Sequence, residues 1–239
     1  MRQNERRQII AIGGSGSLTD AETLALERYV LSQARSTNPA VCFIPTANGD
    51  ADASLVRFYT IFTRLPCRPS HLLFFRRTPV DLRSYLLGQD VIYIGGGNTR
   101  SMLAVWREWG LPDLLREAWE SGIVLAGRSA GAICWFEQGV TDSVADQLLP
   151  LDCLGFLPGS CCPHYDGEAE RRPSYHRLLL DQSIILGIAI DDGVGVHFLG
   201  TDPHRVVTPR EKASAYRVSV GNGTVREEPI SVPRDRLHV

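Results

Sequence analysis

Apolar positions along this chain come in short continuous runs more often than in strict alternation. Such runs fall at residues 8–12 (QIIAI), 40–47 (AVCFIPTA), 70–75 (SHLLFF), 90–99 (DVIYIGGGNT) and 122–127 (GIVLAG). Each is followed by a turn and then by a segment with apolar residues at helical spacing. These segments are 21–35, capped by Thr19 or Asp20, then 53–65, 80–88, 99–122 with a break near Gly110 and Pro112, and 129–139. Continuous apolar strands alternating with amphipathic helices predict a parallel sheet covered on both faces.

The pattern changes after residue 139. Residues 139–176 are rich in Gly, Pro and Asp and show little regular periodicity. A long irregular segment inside a compact domain usually carries function. Beyond it, 183–191 (SIILGIAID) reads as a strand, and 193–199, 204–208 and 214–227 as short antiparallel strands. Asn222-Gly223 marks a hairpin turn. Residues 1–239 read as a single domain with no dividing linker and no internal repeat. The tail, 226–239, is expected to be loosely held or to act as a docking arm.

Composition narrows the class without choosing a function. The 239 residues are 44% apolar and 22% charged, the balance of an ordinary globular chain. A net charge of −2 favours neither nucleic acid nor an anionic membrane. Lys212 is the only lysine, so the cationic groups are almost all guanidinium forks suited to carboxylates. Eighteen consecutive apolar residues occur nowhere, and no signal-peptide core is evident near the N-terminus, so a cytoplasmic location is expected. Cys42, Cys67, Cys134, Cys153, Cys161 and Cys162 are scattered, mostly among apolar residues, and read as free thiols. Cys153, Cys161, Cys162 and His164 match no zinc spacing, so neither a metal nor a cofactor is expected.

Candidate chemistry sits at two glycine-rich turns at strand ends, Gly95-Gly96-Gly97-Asn98 and Gly127-Arg128-Ser129-Ala130-Gly131. Ligands of open α/β sheets bind outside the carboxyl ends of the strands. A serine on a sharp strand-to-helix turn needs small neighbours so that the chain bends and a substrate approaches. The Ala130 N–H would face a developing oxyanion, with a second N–H from Gly96 or Gly97. The bland alternative is a serine that merely caps a helix in a tightly packed turn. The GGSGS stretch at 13–17 lacks dinucleotide-binding spacing and reads as a plain turn, lining the substrate mouth at most.

A nucleophilic serine needs a base, and a histidine base needs a carboxylate. Among His71, His164, His176, His197, His204 and His238, the strongest candidate is His164, fixed by Pro163 in the irregular segment. For the acid, Asp142, Asp146, Asp166 and Glu137 all compete, and Asp166 is too close in sequence to aim at the far ring nitrogen.

YIGGGNT, GRSAGA and CPHYDGE followed by Arg171-Arg172, in that order, resemble the peptidase E family of serine peptidases, over roughly residues 8–220. Aspartyl dipeptidase belongs to that family, and cyanophycinase is a more distant relative. The resemblance implies a flavodoxin-like three-layer α/β sandwich similar to class I glutamine amidotransferases, with a mostly parallel sheet and C-terminal antiparallel strands. It implies Ser129 as nucleophile, in place of the amidotransferase cysteine, and His164 as base. Cys162 stands where the family has asparagine. It implies Asp142 as acid, with Glu137 as runner-up. Asn98, Arg171 and Arg172 are placed at the substrate, the arginines receiving an acidic side chain of an Asp-X dipeptide. The expected partner is a small peptide, with homodimerisation open. Two other readings stand beside this one: an esterase or other acyl hydrolase using the same residues, and an inactive relative that senses a small ligand.

Overall fold

A computed structural model describes residues 7–16, 18–144 and 147–239. The first half alternates as the apolar runs predict. Strands β1 (Gln8–Ile12), β2 (Ala40–Ile44), β3 (Arg68–His71), β4 (Val91–Ile94) and β5 (Val124–Arg128) are joined by helices α1 (Asp20–Ser32), α2 (Asp52–Phe62), α3 (Leu82–Leu87), α4 (Thr99–Glu108) and α5 (Leu111–Glu120). Thr19 caps α1 with a capping box closed by Glu22, which satisfies backbone donors that the first helical turn leaves free. Gly110 takes a left-handed conformation (φ 63°) and breaks α4 from α5. After β5 come α6 (Ala130–Ile133), β6 (Phe136–Val144), β7 (Gln147–Asp152), β8 (Leu157–Cys162), α7 (Arg171–Leu180), β9 (Gly187–Ile190), β10 (Gly195–Leu199), β11 (Asp202–Thr208), β12 (Ala215–Gly221), β13 (Thr224–Pro229) and β14 (Arg234–Arg236).

These strands form two sheets. The larger runs β14-β11-β10-β1-β5-β4-β2-β3. Its five N-terminal strands are mutually parallel, and β10 and β11 add antiparallel pairings. This is the expected α/β sandwich, with the C-terminal antiparallel strands extending the parallel sheet. One face, carrying Ile10, Ile12, Val41, Phe43, Tyr93 and Val124, packs under α1 and α2. The other, carrying Ile9, Ile44, Ile92, Ile94 and Leu125, packs against Met102, Trp106, Leu115 and Trp119 of α4 and α5. Among the described residues no helix is long and apolar enough to cross a membrane.

The second sheet, β13-β12-β9-β8-β6-β7, corrects the reading of 139–176 as irregular. Its strands are broken by Pro150, Pro158 and register shifts in β6, so no clean period reaches the sequence. Side chains nevertheless alternate. Cys161, Ile188 and Ile190 join the core shared with the first sheet. Cys162 and Ala189 face the opposite way, towards Tyr175, Leu178 and Leu179 of α7.

Three further expectations change. The helix expected over 129–139 stops at Ile133, because α6 is wedged between sheets. A Cβ on Gly139 of β6 would lie 2.0 Å from Ile133 Cγ2, and one on Gly131 2.4 Å from Ile94 O. The strand expected over 70–75 ends at His71. The Phe74 and Phe75 N–H groups donate instead to Asp50 Oδ2, at 2.5 and 2.8 Å. Of the tail, β14 pairs in parallel with β11. It is anchored by Arg234, which donates to the carbonyls of Glu211 and Ala213 at 2.7 and 3.0 Å.

Candidate active site

Ser129 lies at the carboxyl end of β5, where the chain reverses into α6. Its backbone sits at φ 56° and ψ −115°, a region costly for a residue with a Cβ and characteristic of functional turns. The Ser129 N–H donates to Ile12 O at 3.0 Å, which ties the turn to the end of β1. Its glycine neighbours make the bend possible: a Cβ on Gly127 would lie 2.4 Å from Gly131 O.

His164 follows β8 and also has positive φ (55°). Its Nε2 is 2.9 Å from Ser129 Oγ, and its Nδ1 is 2.7 Å from Asp192 Oδ1. A carboxylate can only accept, so Nδ1 carries the proton, Nε2 is the acceptor, and the serine hydroxyl donates to it. The imidazole is held in the tautomer a general base requires. Serine and histidine, 35 residues apart in sequence, are brought together as expected.

The acid differs from the expectation. Asp142 has a side chain 64% exposed, and its carboxylate meets Arg171 Nη2 at 3.6 Å. Glu137 accepts from the Gly159 N–H at 2.8 Å, away from the imidazole. Asp146 lies outside the described residues. Asp166 serves as a bracket: its Oδ1 accepts from the Asp192 N–H at 2.8 Å. Arg210 Nη1 donates both to Asp166 Oδ2, at 2.8 Å, and to Asp192 O, at 2.6 Å. Asp192 sits where the chain crosses from β9 in the second sheet to β10 in the first. The Gly193 N–H donates to Gly14 O at 2.9 Å there. The carboxylate fits only because glycines surround it. A Cβ on Gly14 would fall 2.1 Å from Asp192 Oδ1, and one on Gly167 1.9 Å from Oδ2.

Sequence held a signal for this residue, since Asp191-Asp192-Gly193 closes a buried strand at the same sheet end as the other site residues. Asp191 turns the other way and accepts from the Ser214 N–H at 2.9 Å. Burial pushes its carboxyl up to about 6.

The residues assigned to substrate are employed elsewhere. Asn98 caps α4, accepting from the Ser101 N–H at 2.8 Å and donating to Ser143 O at 3.1 Å. Arg171 is 2% exposed. It donates to Glu168 Oε2 at 2.6 Å and to Val140 O at 2.9 Å, and so fastens α7 to β6. Arg172 lies over the Tyr165 ring at 4.5 Å and pairs with Glu227 at 3.5 Å. Gly97 packs on the turn at Thr46–Asn48, where an added Cβ would strike Ala47 O at 2.3 Å. Gly96 instead adjoins the serine, 3.2 Å from Ser129 Cβ by the same measure.

A cleft of about 310 Å³ opens beside Ser129, His164 and Gly96, between the sheet end and α2. Sequence reasoning missed several of its lining residues: the buried Glu27 of α1, Phe58 of α2 and Tyr93 of β4, the half-buried Arg128, and the exposed Arg57 of α2. Arg128 lies inside the serine motif itself, one residue before the hydroxyl. Among the described residues, no group of three or more His, Cys, Asp or Glu side chains is arranged to hold a metal ion.

Comparison with known proteins identifies the family. The family model of peptidase family S51 matches residues 9–206. YgaJ of Bacillus subtilis strain 168, an uncharacterized peptidase, is 50% identical over 226 residues, covering 95% of this chain and 98% of its own. Two solved structures share the fold. A peptidase from an acI-B1 actinobacterium has a TM-score of 0.68 at 20% identity, covering 94% of both chains. A Listeria monocytogenes EGD-e protein, solved as a candidate peptidase E, has a TM-score of 0.63 at 18% identity, covering 86% of this chain and 99% of its own. The chain belongs to peptidase family S51, the peptidase E family that its motifs resemble.

Proposed function

We propose that this peptidase is of the serine type and cleaves short peptides through an acyl-enzyme, with Ser129, His164 and Asp192 as its catalytic residues. The observation that carries the reading is the imidazole bridging a hydroxyl at 2.9 Å and a carboxylate at 2.7 Å. His164 takes the Ser129 proton as Oγ attacks the peptide carbonyl, and Asp192 stabilises the imidazolium that forms. The N–H groups of Ala130 and Gly96 receive the oxyanion; each such donor is worth about a hundredfold or more in rate. His164 then protonates the leaving amine and activates the water that releases the acyl group. No step calls on Asn98 or Gly97.

An acidic side-chain preference was expected from Arg171 and Arg172. Both are engaged outside the cleft, so neither supplies the receptor for that preference. The test is Ser129→Ala, assayed on dipeptides and tripeptides with free and blocked termini. It should cut turnover by at least about a thousandfold with the fold intact. Full peptidase activity in that variant rules the reading out.

A further inference from the structure

The cleft beside Ser129 has a chemical character of its own. Its wall on the α2 side is aromatic. Phe43 and Phe58 stack with centroids 4.6 Å apart and planes 9° apart, and Phe62 continues the row at 4.4 Å from Phe58. Its inner end is a closed polar group. Arg128 Nη2 donates to Glu27 Oε1, Nη1 to Ser15 Oγ, and Nε to Tyr93 Oη at 2.9 Å. The Tyr93 hydroxyl in turn donates to Glu27 Oε1 at 3.0 Å. The guanidinium is thus covered by a carboxylate whose side chain is 2% exposed. The other carboxylate oxygen, Glu27 Oε2, is buried with no hydrogen-bond partner. A buried acceptor lacking a donor calls for one.

We propose that this cleft receives the side chain of the residue whose carbonyl Ser129 attacks, and that it selects a bulky aromatic residue carrying a hydrogen-bond donor at its tip, tyrosine best, with Glu27 Oε2 as the acceptor. The assignment rests on the serine-peptidase reading. In the acyl-enzyme the carbonyl carbon is bonded to Ser129 Oγ, so the Cα one bond away, and its side chain, must occupy space adjoining the serine. The cleft that includes Ser129, Gly96 and Arg128 in its walls provides that space. The phenyl rings favour a flat apolar body. At the inner end an acidic side chain finds Arg128 occupied and Glu27 repelling it, and the other guanidinium of the lining, Arg57, is solvent-exposed and offers only a screened contact. A phenol reaching the inner end would bring an O–H donor to the residue whose second oxygen lacks one, and sites built to bond a hydroxyl discriminate against the analogue lacking it.

The test uses diphenyl α-aminoalkylphosphonates bearing the side chains of Tyr, Phe, Leu and Asp. With each, the Ser129 Oγ–P bond forms and one P–O bond to phenoxide breaks, while the serine proton passes through His164 to the phenoxide. Labelling rates are read by intact mass, and the site by peptide mapping. The Tyr probe should react fastest, about tenfold or more ahead of Phe, and the Asp probe slowest. In Glu27→Gln the charge covering Arg128 is gone, and the Asp probe should gain about tenfold relative to Phe. If this variant does not fold, the wild-type order alone decides. Labelling at Ser129 with Asp fastest, or with Tyr and Phe equal, overturns the pocket assignment and leaves the nucleophile standing. Absence of Ser129 labelling by every probe and by a small fluorophosphonate, on folded protein, overturns the serine reading and the pocket with it.

Discussion

Replacing Asp192 with asparagine tests the site where structure and sequence motif disagree. The two side chains have nearly the same shape, so the cradle formed by Gly14, Gly16 and Gly167 should hold either. What changes is the group 2.7 Å from His164 Nδ1. An amide can present its N–H to the ring, which turns Nδ1 into the acceptor and puts the proton on Nε2, facing the serine. The base is then in the wrong tautomer, and the imidazolium loses its counter-charge. Loss of this function in a serine–histidine–aspartate site lowers kcat by about ten-thousandfold, equivalent to about 5 kcal/mol of transition-state stabilisation. Asp142→Asn is the matched control. Its carboxylate is mostly exposed and lies 3.6 Å from Arg171, a contact worth about 1 kcal/mol or less. Steady-state kinetics on a cleaved dipeptide should show kcat collapsing in the first variant, KM nearly unchanged, and near-wild-type rates in the second. If Asp192→Asn kept wild-type kcat while Asp142→Asn lost it, the hydrogen-bonded chain described above would not be the catalytic one.

Other perturbations probe the same frame. Gly14→Ala places a methyl 2.1 Å from Asp192 Oδ1 and 2.2 Å from His164 Cε1; the displacement should cost about a hundredfold or more in kcat/KM, measured on the same peptide. Arg210→Met removes the donor to Asp192 O and Asp166 Oδ2, and kcat should fall about tenfold while KM holds, as expected of a positioning residue, with Arg210→Lys recovering part of the loss. His197 is buried, and burial lowers its pKa to about 4 from 6.5. Its folded-state value lies below the unfolded one, so the unfolded chain binds the extra proton and stability falls as pH drops from 6.5 towards 4. The full effect is about 3 kcal/mol. Asp191, raised from 3.8 to about 6, pulls the other way across this window, so the measurement is the difference between wild type and His197→Gln in urea unfolding at pH 7, 5.5 and 4. A difference independent of pH would contradict the buried neutral imidazole.

The parallel half of the fold was legible because β1, β2, β4 and β5 are apolar on both faces and are separated by segments of helical spacing; β3, Arg68–His71, is polar and was placed only by the apolar run beside it. Ser129 was legible because a strained turn needs Gly127 and Gly131, and His164 because a proline and a motif mark it. The second sheet was not, since β7 and β8 carry Pro150 and Pro158, β6 is shifted in register against both neighbours, and the apolar residues of the sheet serve two different cores. The carboxylate that meets His164 was missed for a related reason. Motif spacing pointed to Asp142, within 22 residues of His164, whereas Asp192 reaches the ring through the pairing of β8 with β9, a contact that spacing along the chain does not encode. The arginines were misplaced because a guanidinium that locks α7 to β6 and one that binds substrate look alike in sequence. Arg128 hid within the serine turn, where nothing in the sequence shows that its side chain lines the cleft.

The site belongs to neither sheet alone. Ser129 ends a strand of the first, while His164 and Asp192 follow strands of the second. A chain of backbone bonds joins the two edges: Ser129 to Ile12, Gly13 to Val194, Gly193 to Gly14, and Tyr165 to Ile190. Beneath them one apolar core runs through both sheets, from Ile9 and Ile94 to Ile188 and Ile190. Close-packed interiors hold their parts to fractions of an ångström, and a hydroxyl-to-imidazole contact tolerates little more. That accounts for the density of glycine where the sheets meet. Gly13, Gly14 and Gly167 sit where a Cβ would strike Asp191 or Asp192 at 1.9 to 2.3 Å. They let two independently built strand ends approach until a proton can pass between them.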